Sequence, residues 1–139
     1  MNSEKVIEAI TKQIEILNLQ PLDDFSGDTL SRVAVKLAAY KAGLGRHSTV
    51  AKKAVWVAEK NLKEAKARGF MKLKGQGYNS TDAQALRIME ASDEYDAFIE
   101  AQVLEDKITT LSFNVHDLVD AIKSRLINQQ MEVKENNVH

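Results

Sequence analysis

A single proline, Pro21, occurs in a chain of 139 residues. The six glycines fall in two clusters and two isolated turn positions. Between these breaks lie long runs rich in Ala, Lys, Glu and Leu, residues that lose little on entering a helix. Such sparse punctuation predicts an all-α fold. The length allows one domain with one modest core, and no internal repeat of fixed period is visible.

The periodicity places the helices. Val6, Ile10, Ile14 and Leu17 share one face, so the first helix is expected from about Glu4 to Leu17, with Ser3 as its N-cap. "NLQPLDDFSGD" breaks the pattern, because Gln20 before Pro21 is pushed away from helical angles. A second helix starts near Asp28 or Thr29, with Leu30, Val33, Leu37 and Tyr40 in one stripe. "AGLGRHS" weakens it, since each glycine costs roughly 1 kcal/mol relative to alanine. The reading is one long helix with a weak point there. From Ser48 to Arg68 the signal is strong, with Val50, Val55, Ala58, Leu62 and Ala65 placed to face a partner.

A glycine-containing loop is expected over residues 69–80. Thr81 and Gln84 then fit a capping box, opening a very long helix to about Met131. In that helix Leu104, Ile108, Leu111, Val115, Leu118 and Ile122 form a heptad-like seam, which predicts coiled-coil packing and, with Leu126, supplies the candidate oligomer interface. Phe98, Ile99, Phe113, Val119, Leu126 and Ile127 widen the stripe beyond one seam, so the helix either touches two neighbours within one chain or packs in an oligomer. The expected architecture is an elongated antiparallel helical hairpin with an extra N-terminal helix, self-associating to cover its apolar stripe. It forms a single helical domain over residues 1–131, with "EVKENNVH", residues 132–139, as a polar tail.

The net charge of −1 names no partner. Its distribution is more informative. Residues 46–74 hold nine Lys/Arg against two Glu, a net of +7, whereas residues 75–106 hold one Arg against eight Asp/Glu, a net of −7. Cysteine is absent, so disulfides and cysteine nucleophiles are excluded. The N-terminal residues do not read as a signal peptide, and no segment approaches the ~20 apolar residues of a membrane span. The expectation is a soluble, cytoplasmic protein with no membrane association.

Little points to an enzyme or a cofactor. His47, His116 and His139 lie far apart, outside any metal-binding spacing. "GFMKLKGQG" lacks the order of a phosphate-binding Walker loop. Asp93, Glu94 and Asp96 do not share one helix face and read as solvated. His116, beside the seam, reads as a partly buried structural histidine.

The basic stretch is the better candidate. Lys52, Lys53, Lys60, Lys63, Lys66, Arg68, Lys72 and Lys74 line one arm and its loop. Such cations bind nucleic-acid phosphates through counterion release. Phe70 and Tyr78 flank the loop lysines, as stacking aromatics do in single-strand binders. The alternative is a solvated basic face paired with the acidic helix, with Phe70 as a core plug.

"AAYKAGLGRHSTVAKKA", then "KARGF", and later "DLVDAIKSR" resemble the UvsY family of phage recombination mediators. The matching positions are Tyr40, Leu44, His47, Ser48, Lys52 and Lys53, then Lys66 to Arg68, then Asp120 to Arg125. The resemblance covers roughly residues 28–77 and 111–127. Gly43 and Gly45 depart from the pattern, and Arg46 replaces a lysine.

The resemblance implies a single-stranded-DNA-binding oligomer of six or seven subunits, acting in the cytoplasm of the phage's host. It would help a RecA-like recombinase displace single-strand binding protein and assemble its filament, with no bond chemistry. Lys66 and Arg68 would contact phosphates, with Lys63, Lys72 and Lys74 adding to the field. The competing expectation is a coiled-coil structural or interaction module, such as a phage assembly factor or an inhibitor of a host protein, that does not bind DNA.

Overall fold

The computed structural model describes residues 2–138. His139, expected in the tail, lies outside them. The fold is all-α, with no strand among the described residues. In chain order the elements are α1 (Ser3–Leu17), a 3-10 turn (Leu22–Asp24), α2 (Gly27–Gly75), α3 (Ser80–Leu86), a second 3-10 turn (Met89–Ala91) and α4 (Ser92–Val138). The chain divides into two compact units, residues 1–47 with 108–139, and residues 48–107.

The first unit is a three-helix arrangement. α1 is capped by Asn2, whose side chain accepts from the Lys5 amide at 2.9 Å. That corrects Ser3 as the cap. The Ser3 hydroxyl instead meets His47 Nδ1 at 2.8 Å. Pro21 ends the first apolar run, and Ser26 opens α2 by accepting from the Thr29 amide at 3.2 Å. Lys41 Nζ donates to His116 Nδ1 at 2.7 Å, and Gly27 lies against Leu126 and Gln129. Within this unit α2 and α4 therefore run antiparallel.

The core of this unit follows the predicted stripes. Val6, Ile10 and Leu17 of α1 are buried, as are Leu30, Val33, Leu37 and Leu44 of α2. From α4 come Ile108, Val115, Val119 and Ile122. Each fully buried Leu or Ile stabilises the fold by about 1.5–3 kcal/mol. Ile108, Val115 and Ile122 are 0% exposed. These three are already packed within one chain and are not free to face a second copy, which corrects their place in an oligomer seam. Leu111, Leu118 and Leu126 are half-buried. Phe113 and Ile127 are exposed.

α2 remains helical through Gly43 and Gly45, as the sequence reading favours. It also continues past Arg68 to Gly75, so the expected loop shrinks to residues 76–79. The stop is Gly77, at φ 95°. Its amide donates to Lys74 O at 3.1 Å, and the Tyr78 amide donates to Leu73 O at 3.1 Å. That pair of bonds is a Schellman motif, which needs a left-handed residue at this position and so favours glycine.

Asn79 then caps α3, accepting from the Asp82 amide at 2.8 Å, two residues before the predicted Thr81. The long helix expected from Thr81 is broken at residues 87–91. Gly69 accounts for the close approach there. A Cβ on Gly69 would meet Glu90 Cβ at 2.8 Å and Arg87 O at 3.1 Å. The missing side chain lets this turn lie on α2, with Ala91 packed against Leu62, Ala65 and Phe98. α4 continues past Met131 to Val138.

Candidate nucleic-acid interface

The cationic residues lie in the second unit, on the part of α2 from Ser48 to Gly75. Ala51, Leu62, Ala65 and Leu73 are buried, with Val55 and Ala58 half-buried. These positions set the inward face, so the opposite face is solvated. Val50 corrects the sequence reading, being 66% exposed while its neighbour Ala51 takes the buried position. Val50, Ala54, Val57, Ala58 and Asn61, with Glu94 and Ala97, line an open groove of about 420 Å³.

Lys52, Lys63 and Lys74 are exposed. They are spaced eleven residues apart, about three helical turns, so they stack along one line of α2. Lys60 lies beside that line. From Lys52 to Lys74 the line is about 33 Å long at 1.5 Å per residue. Lys53 is exposed on the flank towards the groove, which it helps to line. The helix thus brings Lys52, Lys60, Lys63 and Lys74 together.

Lys66 and Arg68 do not join them as a pair. Two residues apart, they leave the helix about 200° from one another. Lys66 is half-buried and Arg68 exposed. Lys72 is exposed but ion-paired to Glu90 at 2.8 Å. Phe70 lies inside α2, half-buried, rather than in a loop, and Tyr78 is exposed just past the helix end.

The acidic segment neutralises little of this surface. Among the described residues, the ion pair joining different elements of the second unit is Lys72–Glu90. Lys63 pairs with Glu59 of its own helix at 3.5 Å, and Lys74 donates to the Ser80 hydroxyl at 3.2 Å. Lys52, Lys53, Lys60, Lys66 and Arg68 make no ion pair among the described residues. Unpaired cations along a rigid helix offer a polyanion a continuous track.

Sequence reasoning passed over Trp56. It is 63% exposed on the solvated face, four residues from Lys52 and from Lys60. Those spacings were legible, but tryptophan in an amphipathic helix reads first as core.

The motif near the C-terminus is structural in this fold. Ile122 is buried, and Arg125 Nε lies 2.9 Å from Asp23 Oδ1. His116 is exposed rather than partly buried, with Nε2 3.2 Å from Asp120 Oδ2. Because Lys41 can only donate to Nδ1, the Nε2–H faces that carboxylate.

Among the described residues no group of three or more His, Cys, Asp or Glu is placed to hold a metal ion. No described helix is long and apolar enough to cross a membrane. No family model, curated protein or solved structure matches the chain.

Proposed function

We propose that this protein is a single-stranded-DNA-binding recombination mediator of the UvsY kind. It helps a RecA-like recombinase assemble its filament on DNA covered by single-strand binding protein, in the cytoplasm of a phage's host. The observation that carries this reading is the row Lys52, Lys60, Lys63 and Lys74 on one solvated helix face, largely without acidic partners from α3 or α4. The sequence resemblance adds to it. No reaction chemistry is needed. Phosphates displace counterions at the lysines, and a homo-oligomer of six or seven subunits multiplies weak contacts through multivalency. Nothing in such a row reads base edges, so the binding is indifferent to sequence.

The test is recombinase loading. With single-strand binding protein on the DNA, adding this protein should shorten the lag before a RecA-like recombinase begins strand exchange or DNA-dependent ATP hydrolysis. An unchanged lag across a range of protein concentrations would remove the mediator role.

A second reading rests on the apolar groove at Val50, Ala54, Val57 and Ala58, which is open in the single chain. It makes the protein an interaction module. On that reading, reversing charge at Lys52, Lys60 and Lys63 would leave partner binding intact, and no DNA binding would be seen in the unmodified protein.

A further inference from the structure

The chain contains one tryptophan. An indole left in water forfeits a large hydrophobic gain, so its place on the surface asks for a reason. Trp56 follows Lys52 by four residues and precedes Lys60 by four and Lys63 by seven. On a helix those spacings put all four on one face. The indole is 63% exposed, and neither Lys52 nor Lys60 has an ion-pair partner among the described residues.

The surroundings narrow the occupant. An amphipathic helix seeking a membrane or a groove carries several apolar residues in a stripe. Here the indole is flanked by cations, whereas the exposed Val50 and Val57 lie about 100–120° away round the helix, on the groove side, and the exposed Met71 lies about four turns further on. A lone π surface with a cation one turn away on each side matches a single-stranded nucleotide run. The base stacks on the ring, and the phosphates on either side meet the lysines.

We propose that Trp56 is a base-stacking platform, the element of this surface that separates single-stranded from double-stranded DNA. The proposal rests on the single-strand-binding reading above and deepens it. Lysines attract either form of DNA through charge. In a duplex the base faces are already stacked on one another and offer the indole nothing. In a single strand every base has a free face, so Trp56 adds affinity there alone and without regard to sequence.

The test uses the intact protein and Trp56 fluorescence, with oligo(dT), an abasic oligonucleotide of equal length, a duplex, and anionic lipid vesicles as probes. Trp56→Ala and Trp56→Phe, which lack the reporter indole, are compared with the unmodified chain by fluorescence anisotropy of the same oligonucleotides carrying a label. Circular dichroism confirms that both remain folded, as the exposure of Trp56 leads one to expect. Oligo(dT) should quench the emission, and the abasic strand should not. Trp56→Ala should weaken oligo(dT) binding about tenfold, with the salt slope and duplex binding unchanged. Trp56→Phe should restore part of the loss. Salt-sensitive binding without quenching, and with Trp56→Ala equal to the unmodified protein, would overturn the stacking role and leave the mediator reading standing. Equal quenching by the abasic strand would overturn it too. A response to vesicles alone would move the site to a membrane surface. No binding to any oligonucleotide at low salt, from folded protein, would remove the single-strand reading and this proposal with it.

Discussion

Lys66 and Arg68 leave α2 on different sides, Lys66 half-buried beside the inward face and Arg68 in solvent. A motif that looks like one contact in sequence is therefore two separate positions on the helix. The cations that do share a line are Lys52, Lys63 and Lys74, with Lys60 beside them. This geometry moves the centre of the proposed DNA-binding face towards the middle of the helix.

The first prediction concerns salt. For single strands, log K falls with log salt by about 0.7 per phosphate contacted. Replacing Lys52, Lys60 and Lys63 by alanine should flatten that slope by about 2. Arg68→Ala alone should change it by less than 1. Binding isotherms at four or more salt concentrations give the slopes. An unchanged slope in the triple variant would place the contacts elsewhere.

The glycines of α2 should behave oppositely. A Cβ on Gly43 meets nothing within 4 Å, so Gly43→Ala should gain roughly 1 kcal/mol of helix propensity. Gly69→Ala would drive a methyl into Glu90 and the Arg87 carbonyl, and overpacking of this kind costs about 1–3 kcal/mol. Thermal unfolding of the two variants should show midpoints shifted in opposite directions.

Two residues of α4 separate core from surface. Ile122→Ala opens a cavity in the first unit and should cost about 2–5 kcal/mol. Phe113 is 67% exposed, and Phe113→Asp should leave single-chain stability within about 0.5 kcal/mol. If exposed apolar positions of α4 hold the oligomer, Phe113→Asp should also lower the mass seen in sedimentation. An unchanged mass would assign assembly to another face.

Arg125 of α4 faces the Pro21 connection as an ion-pair partner of Asp23, although its buried Nε makes no hydrogen bond there. Its side chain is 20% exposed, with Asp23 at 2.9 Å and Glu132 at 3.4 Å. Arg125→Ala should destabilise the first unit by on the order of 1 kcal/mol, and lysine, which lacks the planar fork, should restore only part. Urea unfolding should detect both. DNA affinity per folded protein should stay the same, because the residue acts in the fold.

The helices were legible because their apolar spacing is regular, and Val6, Ile10, Leu30, Leu37, Ile108 and Ile122 are all buried as that spacing requires. The break at residues 87–91 was not, because its cause is tertiary: Gly69, nearly twenty residues earlier, makes room for it. Gly77 was visible in sequence, but which of Gly69, Gly75 and Gly77 ends α2 depends on the left-handed backbone that only Gly77 adopts. The seam gave the right face, and Ile108, Val115 and Ile122 are buried within the one chain, a choice between the chain's own helices and a second copy that a heptad does not make. The cations were visible one by one. Lys74 joins the line of Lys52, Lys60 and Lys63 only because the helix runs unbroken past residue 68, whereas the separation of Lys66 from Arg68 follows from helical spacing alone.

Fluorescence anisotropy of a labelled single-stranded oligonucleotide tests the central claim most directly. The titration compares unmodified protein with the Lys52, Lys60, Lys63 triple-alanine variant at low and high salt. Single-strand binding by this helix face predicts tight, salt-sensitive binding that the folded variant loses. Absence of binding at low salt by the folded protein, or equal binding by the variant, would contradict it.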